Sequence, residues 1–360
     1  SNGKTIVDKL YGIKSRAGEQ PGGILIIPEN MEITDICPTE IGENGHIKTH
    51  NNYYSICNTG LYRFDLLESD IQTMLHELEK ETNINSKEIN LKDKETLKLF
   101  KHANDLSYPV SIDGIPRFGT SFVKGMLKIA KPQNFNDLVC MSALSNGTGT
   151  WNYNAETLIE KEHKKIDEVI SNREDMYNYL LDNGIEKNTA YEIVEFIRYG
   201  KLSKRCDLWK RNRDKYYIEL KEKWDEYKKI LQEHNIPEWY IKSAEKIRYI
   251  SSKSYSISYT KNEFKIAWYK VHYPKVFYKV YFEIKSDLNI NDFYCKRQVQ
   301  TELNRLYDLK EIHDSNLELD YDKSNDDKII DLKLILEMFN RGLLKEKTEL
   351  KDDYNLINSR

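Results

Sequence analysis

Cysteine, glycine and proline are scarce in this 360-residue chain, which has five, 16 and eight of them. The cysteines, Cys37, Cys57, Cys140, Cys206 and Cys295, are odd in number and far apart, with no Cys-x-x-Cys pair. That pattern speaks against a disulfide framework or a zinc site and reads as the reduced thiols of a cytoplasmic protein. Long apolar runs are missing as well. No stretch approaches the roughly 20 apolar residues that a spanning helix needs, mean hydropathy is -0.71, and the opening SNGKTIVDKLYG lacks the apolar core of a signal peptide. These features point away from a membrane. Neither sign of charge dominates: 55 basic and 58 acidic side chains leave a net charge of -3. Nucleic-acid binders usually carry a basic excess, so any such reading rests on local patches and motifs. Also absent are GxGxxG, GxxxxGK[ST], HExxH and GxSxG, and with them the usual support for nucleotide, metalloprotease and hydrolase readings.

What the chain does have is length for two or three domains and 39% hydrophobic residues, enough for a sizeable core. From Gly3 to about Phe100, β-like runs (GILIIP, Gly23 to Pro28; LYRFDLL, Leu61 to Leu67) alternate with turns and one periodic helix. That helix is predicted over Asp70 to Glu81, with Ile71, Met74, Leu75 and Leu78 on one face. Residues 101–119 carry Pro109, Gly114, Pro116 and Gly119, the chemistry of a connecting segment. Helices follow: Thr120 to Ile129, Ala155 to Ile170, Glu174 to Asn183, Thr189 to Tyr199, Leu208 to His234, Pro237 to Tyr249, Lys261 to His272, Lys275 to Ile284 and Asp292 to Leu309. A charged connection leads to a last helix, Lys328 to Asn340. The expected class is α+β, a small mixed part over 1–100, a linker over 101–119, a helical domain over 120–312 and a helical end over 313–360.

Several segments carry possible chemistry, each with a plain alternative. Asp65 stands mid-strand in RFDLLESD between Phe64 and Leu66, where a carboxylate is either a divalent-metal ligand or a solvent-facing residue of an edge strand. SRAGEQPGGILII offers Gly18, Gly22 and Gly23 for close backbone approach with Arg16 as a cation, or simply a turn into a strand. KIRYISSKSYSISY places Lys253 and Tyr259 in a hydroxyl-rich stretch between two helices, suited to phosphate oxygens and to stacking on a base. SNGTGTW has too few glycines for a phosphate loop and reads first as a turn and helix start. KLSKRCDLWKRNRDKYYIELKEKW interleaves Lys204, Arg205, Lys210, Arg211 and Arg213 with aromatics, as a nucleic-acid track or as a solvated amphipathic helix.

In order, IKSRAGEQPGGILIIPENM, YRFDLLESD, GIPRFGTSFVKGMLKIAKPQNFNDLVCMSALSNGTGTW, VISNREDMYNYLLDNGI, IPEWYIKSAEKIRYISSKSYSISY, FKIAWYKVHYPKVFYKVYF and DDKIIDLKLILEMFNRGL resemble consecutive palm and fingers parts of one family. That family is the PolC-type catalytic α subunit of bacterial DNA polymerase III. The resemblance implies a palm remnant followed by a helical fingers domain, acting in DNA-templated nucleotide addition. Asp65 matches the third of three palm aspartates that hold two Mg²⁺ ions, and Arg63 a basic position beside it. Arg16, Gly22 and Gly23 match the palm loop near the incoming nucleotide, and Arg173, Lys253 and Tyr259 match fingers positions around its triphosphate and base. Primer-template DNA, a dNTP, further polymerase domains and replisome proteins are the implied partners.

The departures are part of the reading. The family's first two palm aspartates precede the segment matched here, so the resemblance implies an incomplete metal site and an isolated chain without activity. Gln20 and Tyr255 stand where the family has histidines, Asn146 and Gly149 where it has histidine and aspartate, and Glu68-Ser69 where it has Gly-His. About Lys204 to Lys228 looks partly inserted. A diverged, non-catalytic module that binds DNA or replisome proteins is the alternative.

Overall fold

The computed structural model describes residues 22–42, 45–50, 55–56, 58–66, 69–103, 105, 108–198, 200–201, 215–315 and 324–346, without the side chains of 215–217 and 312–315. The expected site residues Arg16, Lys204, Arg205, Lys210, Arg211 and Arg213 lie outside this set. The chain divides into two compact units between Ser69 and Asp70.

The first unit holds the β structure. Strand β1 (Gly23–Ile26) pairs antiparallel with β4 (Tyr62–Asp65), and β2 (Thr39–Ile41) with β3 (Ile47–Thr49). The pairing sets Gly23 opposite Asp65 and Leu25 opposite Arg63. Gly22, at φ +81, opens this strand pair: its carbonyl accepts the Leu66 N–H at 2.7 Å, and a Cβ there would collide with the Leu66 carbonyl oxygen. Only glycine meets both demands. Ile24, Ile26, Phe64 and Leu66 stay exposed on this ribbon.

The second unit is helical, which makes the described residues mostly helical with a small two-sheet β part, an α+β composition. Its helices are α1 (Asp70–Thr82), α2 (Lys94–Lys101), α3 (Ser121–Ala130), α4 (Phe135–Asn146), α5 (Glu156–Glu160), α6 (Arg173–Asp182), α7 (Lys187–Arg198), α8 (Lys215–Glu233), α9 (Glu238–Lys246), α10 (Lys253–His272), α11 (Pro274–Ile284), α12 (Lys296–Ser315) and α13 (Ser324–Asn340). Two apolar cores form. The larger joins α1 to α5 with α10 to α13, and the smaller joins α6 to α9. Helix α10 is the axle of the larger core, with contacts to α1, α2, α4, α6 and α11.

Residues 101–119 are not a loose connection. Ile112, Ile115 and Phe118 are buried in the larger core, and Phe118 meets Phe100 edge to face at 5.0 Å between centroids. The prolines and glycines there shape a packed loop rather than a boundary, and α1 and α2 pack with the helices that follow instead of with the strands. What fastens the loop is the fully buried Lys270 of α10. Its amine donates to the Ser111 and Asp113 carbonyl oxygens, each at 2.7 Å, and to Glu337 of α13 at 3.2 Å. Tyr278 and Ser111 complete the shell of Glu337 at 2.5 and 2.6 Å. Burial lowers the Lys270 pKa, while Glu337 and Asp113 oppose that shift.

Candidate nucleotide and nucleic-acid site

Helix α6 begins at Asn172, whose side-chain oxygen accepts the Asp175 N–H at 2.9 Å. Helix α10 begins at Ser252, whose side chain caps the Tyr255 N–H. The two starts abut, because the Arg173 N–H donates to the Ser251 carbonyl at 3.2 Å. Arg173 and Lys253 are therefore both first-turn residues at converging helix N-termini, where the exposed N–H groups and helix dipoles favour anions. Lys253 is not in a breaker stretch between helices: the cap at Ser252 converts KSYSISYT into the opening turns of α10.

Two carboxylates occupy this positive corner. Glu174 accepts the Lys253 N–H at 2.6 Å and faces Arg173 Nε at 2.9 Å, while Asp175 holds the Lys253 amine at 2.6 Å. Beneath it lies Cys140, its thiol pushed up to about 11 by burial and therefore inert at neutral pH.

Farther along α10, Tyr259 is half-buried and sits 4.5 Å from the Tyr255 ring. Its hydroxyl is raised above the ordinary tyrosine range by the hydrogen bond with Tyr255 and then by burial. On its other side the Arg117 guanidinium stands 4.8 Å from the ring centroid. Arg117 has φ +59, donates to Ser142 Oγ at 2.9 Å and lies 3.2 Å from Glu263. Glu263 is fully buried, and burial drives its carboxyl up to about 7 against the pull of Arg117. Sequence reasoning passed over this pair, since Arg117 and Glu263 are 146 positions apart and only the fold brings them together. The positive φ at a non-glycine residue after Pro116 is visible only in the fold.

In the first unit, Asp65 is the last residue of β4 rather than a mid-strand residue, and it is exposed. Arg63 pairs with it, donating from Nε at 2.8 Å and through a second contact from Nη2.

The bacterial DNA polymerase III alpha subunit finger domain matches residues 69–223, starting where the second compact unit starts. Relatives extend over most of the chain. The PolC-type DNA polymerase III of Thermotoga petrophila is 32% identical over 348 residues, 94% of this chain and 23% of that protein. Those of Halalkalibacterium halodurans and Listeria monocytogenes are 32% and 31% identical over 96% of this chain, again 23% of each. The chain is a relative of the PolC-type polymerases and carries their fingers segment. It spans under a quarter of the length of these relatives, at 23%.

A PolC-type relationship raises the question of metal. Among the described residues, no group of three or more His, Cys, Asp or Glu side chains could hold an ion. Asp65 is one exposed carboxylate, neutralised by Arg63, so the described residues do not fit a two-Mg²⁺ centre by themselves and no chemical step is assigned to one. The structure groups Arg173 with Lys253 and, along the same helix, Tyr259, while Gly22 and Gly23 belong to the first unit, in a turn and a strand pairing. Among the described residues, no helix is long and apolar enough to cross a membrane.

Proposed function

We propose that this chain is part of a family C bacterial replicative DNA polymerase and supplies its dNTP-facing fingers, with Asp65 as one of the palm carboxylates that serve Mg²⁺. The observation that carries this reading is the corner where α6 and α10 meet. Two helix N-termini and the cations Arg173 and Lys253 converge there, an arrangement suited to a polyanionic triphosphate, with the half-buried Tyr259 on the same helix for the base. Glu174 and Asp175 hold both cations in the absence of nucleotide, and the phosphate oxygens take their place on binding. On this reading the isolated chain is expected to extend no primer.

A second reading is a diverged, non-catalytic module that binds DNA or replisome proteins. What favours it is that Glu174 and Asp175 already satisfy Arg173 and Lys253 within the fold.

Fluorescence anisotropy of a labelled primer-template separates the two. The polymerase reading expects binding to tighten with the next templated dNTP and not with the other three, and Lys253→Ala to remove the gain. Equal binding with and without dNTP would leave only the module. Primer extension by the isolated chain that disappears on Asp65→Ala would overturn the predicted inactivity.

A further inference from the structure

The turn between α4 and α5 is fastened on every side except one. Trp151 and Asn154 are buried, and Asn154 donates to the Gly149 carbonyl at 2.8 Å and the Ser243 carbonyl at 3.1 Å while accepting from Ser243 Oγ at 2.7 Å. The Ala155 N–H reaches the Thr150 carbonyl at 3.1 Å. At the crest of this π-turn stands Tyr153, at φ 58 and ψ 14, with its residue 82% exposed. A bulky residue in the left-handed region is uncommon, and glycine would sit there with less strain. The fold therefore holds an aromatic ring in water on a backbone unsuited to it, and such positions and single π-turns concentrate where function requires them.

Three segments meet beside this turn. The Thr148 carbonyl accepts the Arg248 N–H at 2.7 Å, and Thr148 bridges to Tyr249. Gly149 and Gly200 lie so close to the backbones of Lys246 and Arg248 that neither has room for a Cβ. Exposed Lys246, Arg248 and Lys201 are thus brought to one patch, with the Lys246 amine donating to the Tyr153 carbonyl at 2.7 Å. The neighbouring carboxylates are already engaged. Glu156 accepts the Tyr153 N–H at 3.2 Å, and Glu245 accepts Trp224 Nε1 at 2.9 Å and pairs with Lys228 at 3.5 Å.

Clustered cations with a projecting ring complement a phosphate backbone whose bases are open to stacking, and a duplex hides its base faces. We propose that Tyr153, Lys246 and Arg248 form a site for an unpaired stretch of DNA, the ring stacking on a base and the two cations contacting flanking phosphates. Residues 247–253 lead directly from this patch to the corner of Arg173 and Lys253. The assignment of the unpaired stretch to the template strand rests on the polymerase reading; the binding itself does not.

The test compares a labelled blunt duplex with the same duplex bearing a single-stranded 5′ extension, by anisotropy at two salt concentrations. Tyr153→Gly suits the left-handed backbone, and an unchanged melting temperature shows that the turn stays intact. The extension is expected to tighten binding of the native chain by about fivefold or more, and Tyr153→Gly to remove that gain without changing duplex affinity, while Tyr153→Phe keeps it. Replacing Lys246 and Arg248 by alanine is expected to lower the salt slope for the extended DNA by about 1.4. A gain that survives Tyr153→Gly, equal binding of blunt and extended DNA, or no DNA binding at all overturns the proposal; the last outcome turns the patch over to a protein partner. The dNTP effect and its dependence on Lys253 are read in the same titrations. An extension gain without a dNTP effect sinks the nucleotide reading and leaves this site standing, and the reverse result sinks this site alone.

Discussion

Glu263 is a carboxyl group placed where water does not reach, with neither oxygen hydrogen-bonded among the described residues and Arg117 Nε 3.2 Å away. Burial pushes its carboxyl up to about 7, above the 4.5 of the solvated group. Between those values the native chain binds more protons than the unfolded one, so this group makes stability fall as pH rises from about 4.5 to about 7. The change is on the order of 3 kcal/mol across that window. Glu263→Gln has no proton to lose. Its melting temperature relative to the native chain is therefore expected to climb as pH is raised through the window and to level off above it. A difference that stays flat from pH 4.5 to 7.5 would show that the carboxyl titrates normally.

At the scale of elements, Lys270 joins the 108–119 loop, α10 and α13 through one amine. Removing it takes the ammonium partner from buried Glu337, leaving Arg341 at 3.7 Å, beside two carbonyls that have lost their donor. Lys270→Met is expected to cost about 3–5 kcal/mol in urea denaturation, with early loss of amide protection in the loop. A cost below about 1 kcal/mol would mean that the network is neutral. The sequence showed most helices because their apolar residues keep helical spacing: the helix expected over Asp70 to Glu81 is α1, and that over Lys275 to Ile284 is α11. Helix α4 escaped notice because Leu138, Val139, Cys140, Met141, Ala143 and Leu144 are all buried, so it has no polar face to set a period. The long helix expected over Ala155 to Ile170 ends at Glu160, with His163 at φ 55 soon after. Strands β2 and β3 have three residues each, too few for alternation to register. At the candidate site, Arg173, Lys253 and Tyr259 were accessible from family resemblance, whereas Arg117, Glu263 and Tyr153 depend on contacts and backbone angles that local sequence does not encode.

The whole molecule separates at Ser69/Asp70, and the two sides differ in how they satisfy apolar surface. The first unit leaves Ile24, Ile26, Ile41, Ile47, Phe64 and Leu66 exposed on two-stranded ribbons, which are marginal on their own. The second encloses both large cores. A fragment of residues 70–360 is therefore expected to keep its helical circular dichroism and a cooperative melt within a few degrees of the full chain. A fragment that melts without cooperativity would mean that the strands contribute to the helical cores.

The contact between the Arg173 N–H and the Ser251 carbonyl has a mechanical consequence. Helix α6 is built into the smaller core and α10 into the larger one, so their abutting ends form a joint between the two. An anion held by Arg173 and Lys253 together, as proposed above, would bridge that joint and tie the end of α6 to the start of α10.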